Sequence, residues 1–196
     1  VVAPHAQFAC PPAPFTLPFF PEESYSRGES AYNAGDYDTA TRLFTDALSQ
    51  NSDNYSAHYY LGEIYLRNED YNKAFNEFSS VLRLNPSFAP GHLGHGQANF
   101  GLGGNPLGDY DKARAANPQW AEPYIQSAIF YASRRNTDAA ITELEAGRGL
   151  APANVVVLWR LAEQYLAVGR YDDARAALLI RNSWGTGWGQ AGYGWL

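Results

Sequence analysis

Apolar and small residues recur along the chain with the spacing of paired amphipathic helices, in blocks that repeat about every 34 residues. The segment GESAYNAGDYDTATRLFTDAL (28–48) aligns with LGEIYLRNEDYNKAFNEFSSVLRLNP (61–86) and with LAEQYLAVGRYDDARAALL (161–179). In each block a small residue precedes an Asp–Tyr or Arg–Tyr pair, Ala follows three residues later, and a large apolar residue four residues after that. Because one helix pair cannot bury its own apolar face, the pattern predicts stacked pairs.

This order of residues resembles the tetratricopeptide repeat over residues 21–181, which we divide into 21–54, 55–88, 89–120, 121–154 and 155–181. The resemblance implies an all-α, right-handed superhelical solenoid of about five helix-turn-helix units, with extended tails at 1–20 and 182–196. The matching positions are small residues of the first helix (Gly28, Gly62, Gly96, Ala128, Ala162), Ala of the second helix (Ala40, Ala74, Ala140, Ala174), large apolar residues (Phe44, Phe78, Leu144, Leu178) and closing prolines (Pro86, Pro118, Pro152).

The third unit is two residues short and matches the repeat only from Tyr110 onward. Gly103 and Gly104 fall where the turn between its helices is expected. Asn105 then suits a helix N-cap and Pro106 the first helical residue. We therefore expect a shortened second helix, which is either a tolerated deletion or a hinge or contact loop.

In this family the first helix of each unit lines a concave groove through its second, fifth, ninth and twelfth places. Here these places hold Glu22, Tyr25, Glu29 and Tyr32; Ser56, Tyr59, Glu63 and Leu66; Pro90, Leu93, Gln97 and Phe100; Glu122, Ile125, Ile129 and Ala132; and Val156, Trp159, Glu163 and Leu166. None is Lys or Arg, so the basic clamp by which family members hold a C-terminal carboxylate is missing. The fifth places predict an apolar strip for an extended partner, although individual members can instead belong to the core.

The N-terminal tail is rich in proline and carries Phe8, Phe15, Phe19 and Phe20. Dense proline prevents helix and favours an extended chain, which an aromatic-lined groove can accept. The tail could dock on its own groove, on that of a neighbouring copy or on an unrelated partner, or it could be disordered. Head-to-tail docking that does not close makes a filament.

The closing stretch RNSWGTGWGQAGYGWL (181–196) is similar to the C-terminal motif of papain-like cysteine proteases. In that family the residue matching Asn182 orients the catalytic His, and the one matching Trp184 shields that contact. The single cysteine, Cys10, does not match the nucleophile segment, so we predict no catalysis. The tail is then a remnant or a piece of a larger peptidase, and its aromatic residues are candidate contact anchors: Trp184, Trp188, Tyr193 and Trp195.

Charge and smaller motifs narrow the remaining choices. The net charge of −6 argues against nucleic acid, and no apolar run is long enough to span a membrane. Asn54-Tyr55-Ser56 is a candidate N-glycosylation site if the protein is secreted. His92 and His95 have a spacing that could bind a metal, but both fall at places that pack inside a helix pair, so we predict no metal and no cofactor.

These observations leave three functional hypotheses. The first is a non-enzymatic scaffold that associates with copies of itself, as an extracellular oligomer or filament, through its tails and groove. The second is a peptide-binding adaptor for another protein, with the cytoplasm as the alternative location. The third is a fragment or accessory region of a papain-like peptidase fused to the repeats.

Overall fold

The structure is a computed structural model of the 196-residue chain, and it describes residues 23–178, 180–181 and 193–194. Its elements, in chain order, are α1 (Glu23–Asn33), α2 (Tyr37–Gln50), α3 (Tyr55–Arg67), α4 (Tyr71–Leu84), α5 (Ala89–Gly101), α6 (Leu107–Ala116), α7 (Glu122–Ser133), α8 (Thr137–Leu150), α9 (Val155–Ala167), α10 (Tyr171–Leu178), β1 (Ile180–Arg181) and β2 (Tyr193–Gly194). The predicted all-α fold of helix-turn-helix units is confirmed.

The helices belong to two compact units that divide between Pro118 and Gln119. In the first, α1–α6 pack as three successive pairs around buried residues such as Phe44, Leu61 and Phe78. In the second, α7–α10 form two pairs around a core that includes Leu144 and Leu161. Each unit therefore has its own apolar core.

Polar residues fix where the helices begin. The Asp36 side chain accepts a hydrogen bond from the backbone N–H of Thr39 at the start of α2, and Asp70 does the same for α4. Asn residues serve α3, α8 and α9 in the same way, through Asn54, Asn136 and Asn154. Each cap satisfies an N–H group that has no partner inside its helix, so the turns are defined locally.

The turn inside each pair uses one left-handed residue at an equivalent place. It is glycine in three turns, namely Gly35, Gly103 and Gly169, with φ between +75° and +85°. In the other two turns Glu69 and Arg135 adopt φ of +58° and +59°. Glycine reaches this region without strain, so the same turn is made at some backbone cost in the second and fourth pairs.

Small residues let the two helices of a pair approach closely, as the repeat pattern predicts. A Cβ atom placed on Gly28 would lie 2.8 Å from Cε1 of Phe44, and one on Gly62 would lie 2.8 Å from Cζ of Phe78. The Phe78 ring is also held from the other side, because a Cβ on Gly94 of α5 would overlap it. One aromatic ring thus joins α4 to the first helix of its own pair and of the next.

In the third pair, Tyr110 corresponds to a different position of the repeat from the one that its sequence suggests. Tyr110 packs on Gly96, where a Cβ would lie 2.6 Å from Cε1 of the ring. Tyr110 is therefore the counterpart of Phe78, and not of the tyrosine that opens the second helix. Both rings precede their closing proline, Pro118 or Pro86, by eight residues.

The second helix of the third pair is shortened at its start, as expected. α6 has 10 residues, whereas α2, α4 and α8 have 14. The predicted start is one residue too early, because Pro106 is the N-cap residue and helix begins at Leu107. The Asn105 side chain accepts a hydrogen bond from the backbone N–H of Leu107 at 3.1 Å. The segment from Gly103 to Pro106 replaces the missing first turn.

The last helix ends sooner than the repeat pattern predicts. α10 stops at Leu178, and Ile180–Arg181 pairs antiparallel with Tyr193–Gly194 as β1 and β2. The repeat pattern predicts helix up to about Ile180, whereas the papain-like motif favours a strand from about Leu179. The prediction of helix at Ile180 is wrong, because this residue lies in β1. Among the described residues, no helix is long and apolar enough to cross a membrane.

Substituting Gly62 by Ala should destabilise the first unit by about 1–3 kcal/mol, because the new methyl group would collide with the Phe78 ring. Gly108→Ala is the matched control, since a Cβ there meets nothing within 4 Å and Ala favours helix. Urea unfolding followed by circular dichroism at 222 nm measures both. Equal midpoints for the two variants would contradict the close packing.

Candidate partner-binding groove

The first helices of the unit at 23–118 carry a connected group of aromatic rings. The Tyr60 ring of α3 stacks on Phe44 of α2, with centroids 4.9 Å apart and planes within 5°. It also contacts Tyr25 and Tyr32 of α1, at 6.4 and 4.9 Å between centroids. Aromatic contacts of this kind add to burial, so Tyr60 links the first pair to the second.

A carboxylate lies beside these rings and is oriented by two hydroxyl groups. The hydroxyls of Tyr25 and Tyr60 each donate a hydrogen bond to Oε1 of Glu29, both at 3.0 Å. Burial, followed by the Glu29 charge, raises the pKa of both tyrosines well above the ordinary value of 10.0. Two neutral donors on one oxygen hold the carboxylate in place and leave its charge intact.

Glu63 occupies the same place as Glu29, one repeat later. Burial and then the Glu63 charge raise the pKa of Tyr32 and of Tyr59. The guanidinium of Arg67 lies over the Tyr37 ring, 4.5 Å from its centroid, and partly offsets the effect of Glu63 on the pKa of Tyr32. The two carboxylates therefore border one aromatic cluster.

We give the name groove face to seven half-buried residues of α1, α3 and α5. They stand at the ninth and twelfth places of their repeats, with the addition of Tyr59. The members of the groove face are Glu29, Tyr32, Tyr59, Glu63, Leu66, Gln97 and Phe100. Two other residues assigned to the groove from sequence, Tyr25 and Leu93, are buried, with 1% and 7% of their surface exposed. The predicted apolar strip at the fifth places is therefore corrected in the unit at 23–118, because these two side chains belong to the core.

In the unit at 119–178 the predicted groove residues separate in the same manner. Ile125 is buried in the core, while Trp159 and Leu166 of α9 are each 52% exposed. Ile129 lines a small pocket between α7 and α9, together with Ala128, Ala132, Leu144, Arg160 and Gln164. The assignment of Ile125 to the groove surface is thus also corrected to the core.

Asn54 is not an accessible glycosylation site in this structure. Its side chain is fully buried, and its Oδ1 accepts a hydrogen bond from the backbone N–H of Ala57 at 2.9 Å. The Nδ2 atom that would carry the sugar is enclosed as well. The prediction from the sequon is therefore wrong for the folded chain, where Asn54 is a helix cap.

The histidines have separate partners. Nε2 of His92 lies 2.8 Å from the carbonyl oxygen of Pro86, and Nδ1 of His95 lies 2.9 Å from Oδ2 of Asp109. Within the part of the chain that the structure describes, no three His, Cys, Asp or Glu side chains are grouped as metal ligands. His92 and His95 thus join neighbouring segments of the fold.

The proposed tail anchors lie outside the described residues, except for the backbone of Tyr193 in β2. They are Phe8, Phe15, Phe19, Phe20, Trp184, Trp188 and Trp195. Asn182 of the papain-like motif is outside as well. Their roles remain predictions from the sequence.

Two features of the candidate site were not predicted from the sequence. Tyr60 stands at the sixth place of its repeat, next to the fifth place assigned to the groove, and its hydrogen bond to Glu29 joins consecutive repeats. The exposed apolar residues around α9 also include Val155, Val168 in the following turn, and Tyr171 at the start of α10. The density of tyrosine around 25–65 was a signal for the first, whereas the repeat pattern carried none for the second.

Comparison with known proteins agrees with the repeat pattern. Models of the tetratricopeptide repeat match residues 25–89 and 155–179. The chain is 28% identical over 128 residues to the heat shock protein sti1 homolog of Schizosaccharomyces pombe, covering 65% of this chain and 21% of that protein. It is 30% identical over 95 residues to heat shock protein STI1 of Saccharomyces cerevisiae, covering 48% of this chain and 15% of that one. The chain thus spans about a fifth or less of these curated relatives.

Solved structures share the fold over most of the chain. A thermophilic tetratricopeptide repeat protein of Thermus thermophilus has 26% identity and a TM-score of 0.66, covering 79% of this chain and 86% of that one. MamA has 21% identity and a TM-score of 0.67, covering 81% and 92%. The second likeness concerns the fold alone.

Replacing Glu29 by Gln should lower the pKa of Tyr25 and Tyr60, because the charge that opposes their ionisation is removed. Absorbance at 295 nm should then rise at lower pH than in the wild type. Since both tyrosines have raised pKa values in the folded chain, they stabilise it fully below pH about 10 and lose this contribution as pH rises further. Glu69→Gln, in an exposed turn, should leave the titration unchanged, and coincident curves for wild type and Glu29→Gln would contradict the assignment.

Proposed function

We propose that the chain, which carries tetratricopeptide repeats, is a non-enzymatic adaptor whose groove face binds an extended segment of another protein. The observation that carries this proposal is the half-buried row of Tyr32, Tyr59, Leu66 and Phe100 along successive first helices. Aromatic and aliphatic side chains that keep part of their surface in water are suited to partner contact. The backbone groups of these helices are paired internally, so side chains must make the contacts.

The groove face is suited to internal segments more than to chain ends. None of the second, fifth, ninth and twelfth places holds Lys or Arg. A free C-terminal carboxylate would then meet Glu29 and Glu63, and like charges in a partly dry groove repel. The partner segment in this proposal therefore continues at both ends.

A pool of 12-residue peptides, acetylated and amidated to remove terminal charges, tests the proposal against the full chain. Leu66→Ala should weaken binding of the selected peptides about tenfold, through the loss of apolar contact area. Leu102→Ala is the matched control, because Leu102 lies 46% exposed in the turn after α5 and is not a member of the groove face. Fluorescence polarisation gives the affinities, and circular dichroism confirms that each variant is folded.

Two results would refute this function. One is the absence of any peptide binding by the wild-type chain. The other is equal loss of affinity in Leu66→Ala and Leu102→Ala, which would place the contact elsewhere.

Self-association is a second candidate, and the exposed apolar residues of α9 favour it. Val155, Trp159 and Leu166 fall within about 40° of one another around the helix axis at 100° per residue, and each is roughly half exposed. A second copy of the chain could cover this stripe, with the terminal tails adding contacts. An oligomer outside the cell is one form of this proposal.

Sedimentation of the full chain over a wide concentration range tests self-association. If the α9 stripe carries it, Trp159→Ser with Leu166→Ser should convert oligomer to monomer, because the buried apolar area is lost. Leu102→Ser should leave the oligomer intact. A wild-type chain that is monomeric at every concentration would remove this candidate.

A further inference from the structure

Glu29 is a half-buried anion without a cationic partner among the described residues. Its contacts there are the two tyrosine hydroxyls at 3.0 Å, and these donate hydrogen bonds without cancelling its charge. The other carboxylates near the turns and helix ends mostly pair with a neighbour, as Asp70 does with Lys73 and Asp109 with His95 and Lys112. A carboxylate that is fixed in place and still charged is prepared to bind a cation.

The rings around Glu29 add to the same preference. Tyr32 and Tyr60 lie with centroids 4.9 Å apart at 56°, and Tyr60 carries one of the hydroxyls that hold Glu29. The negative face of a tyrosine ring attracts ammonium and guanidinium groups. The chain already uses this attraction internally, since Arg67 lies over Tyr37.

We infer that Glu29, held by Tyr25 and Tyr60, selects partner segments in which a Lys or Arg side chain is flanked by apolar residues. The cation pairs with the Glu29 carboxylate beside the Tyr32 ring, while the flanking side chains contact Leu66 and Phe100. This inference rests on the proposed function and names the chemistry of the partner.

The charge of the surrounding unit agrees with a basic partner. Between residues 23 and 118 there are seven Lys and Arg against twelve Asp and Glu, which gives a net charge of −5. An acidic surface of this kind also speeds the approach of basic segments. Residues 1–21 contain no Lys or Arg, so the N-terminal tail of this chain or of a second copy does not supply the Lys or Arg side chain.

The experiment uses three blocked peptide pools that differ at one central position, Lys, Gln or Glu, with Ala, Leu, Ser and Tyr at the other positions. The full chain should bind the Lys pool roughly tenfold more tightly than the Gln pool, and the Glu pool most weakly. Glu29→Gln should bring Lys and Gln pools to equal affinity, since the amide oxygen still accepts from both hydroxyls but carries no charge. Glu69→Gln should keep the wild-type ratio.

The outcomes separate this inference from the proposed function. If Lys and Gln pools bind the wild type equally, or if Glu29→Gln keeps the ratio, the groove binds peptides but the inference is overturned. If no pool binds, the proposed function fails and the inference falls with it. Rising salt should weaken the Lys pool more than the Gln pool, because only the former depends on a charge pair.

Discussion

The close contact between a small residue of one helix and a large side chain of its partner determines the geometry of both units. In the first three pairs glycine meets an aromatic ring, as Gly28 meets Phe44 and Gly62 meets Phe78. In the last two pairs the small residue is Ala, and the large residue in the same core is Leu, as for Ala128 with Leu144. The sizes are complementary: where the small residue is Ala and not Gly, the large residue is Leu and not an aromatic residue. Constant packing density explains why the two positions change together.

This contact also determines what the groove face presents. The residue after the small one is Glu29 in the first helix pair and Glu63 in the second, about 100° further round the helix. Once Gly28 is pressed against Phe44, Glu29 is directed away from that interface and toward the next first helix. There Tyr60 reaches it with a hydroxyl, so the packing of one pair sets the position of a polar group on the surface.

Much of the fold was predictable from the sequence, because small residues, turn residues and caps repeat at fixed intervals. The residues that line the groove were less predictable. The fifth places were expected on the surface, yet Tyr25 and Ile125 are core residues, whereas Trp159 is exposed. A first helix packs against the next first helix, as α3 packs against α5, and α9 has no such neighbour within the described residues. Burial at this place therefore depends on which side chains of neighbouring helices pack against it, and a repeat period does not encode these.

The third pair was misaligned for a related reason. Asp109 and Tyr110 match the Asp-Tyr pair that opens the second helix in other pairs, although here they lie inside α6. The loss of the first turn of this helix hides the shift. Counting back from Pro118 gives the correct alignment, because the end of the second helix is retained while its first turn is lost. Distances from a structural stop signal are thus more reliable here than similarity at the start of a helix.

The way Glu29 is held bears on selectivity. A carboxylate held by Lys or Arg would already be neutralised, and a partner cation would have to compete with that pair. A carboxylate held by tyrosine hydroxyls keeps its charge, and it loses little conformational entropy on binding because its position is already determined. The cost arises during folding, when a charge is partly buried beside rings, and the packing of Gly28 on Phe44 and of Tyr60 on Phe44 offsets it. In the proposed adaptor, the strength of the repeat contact and the capacity to discriminate between partners are therefore coupled.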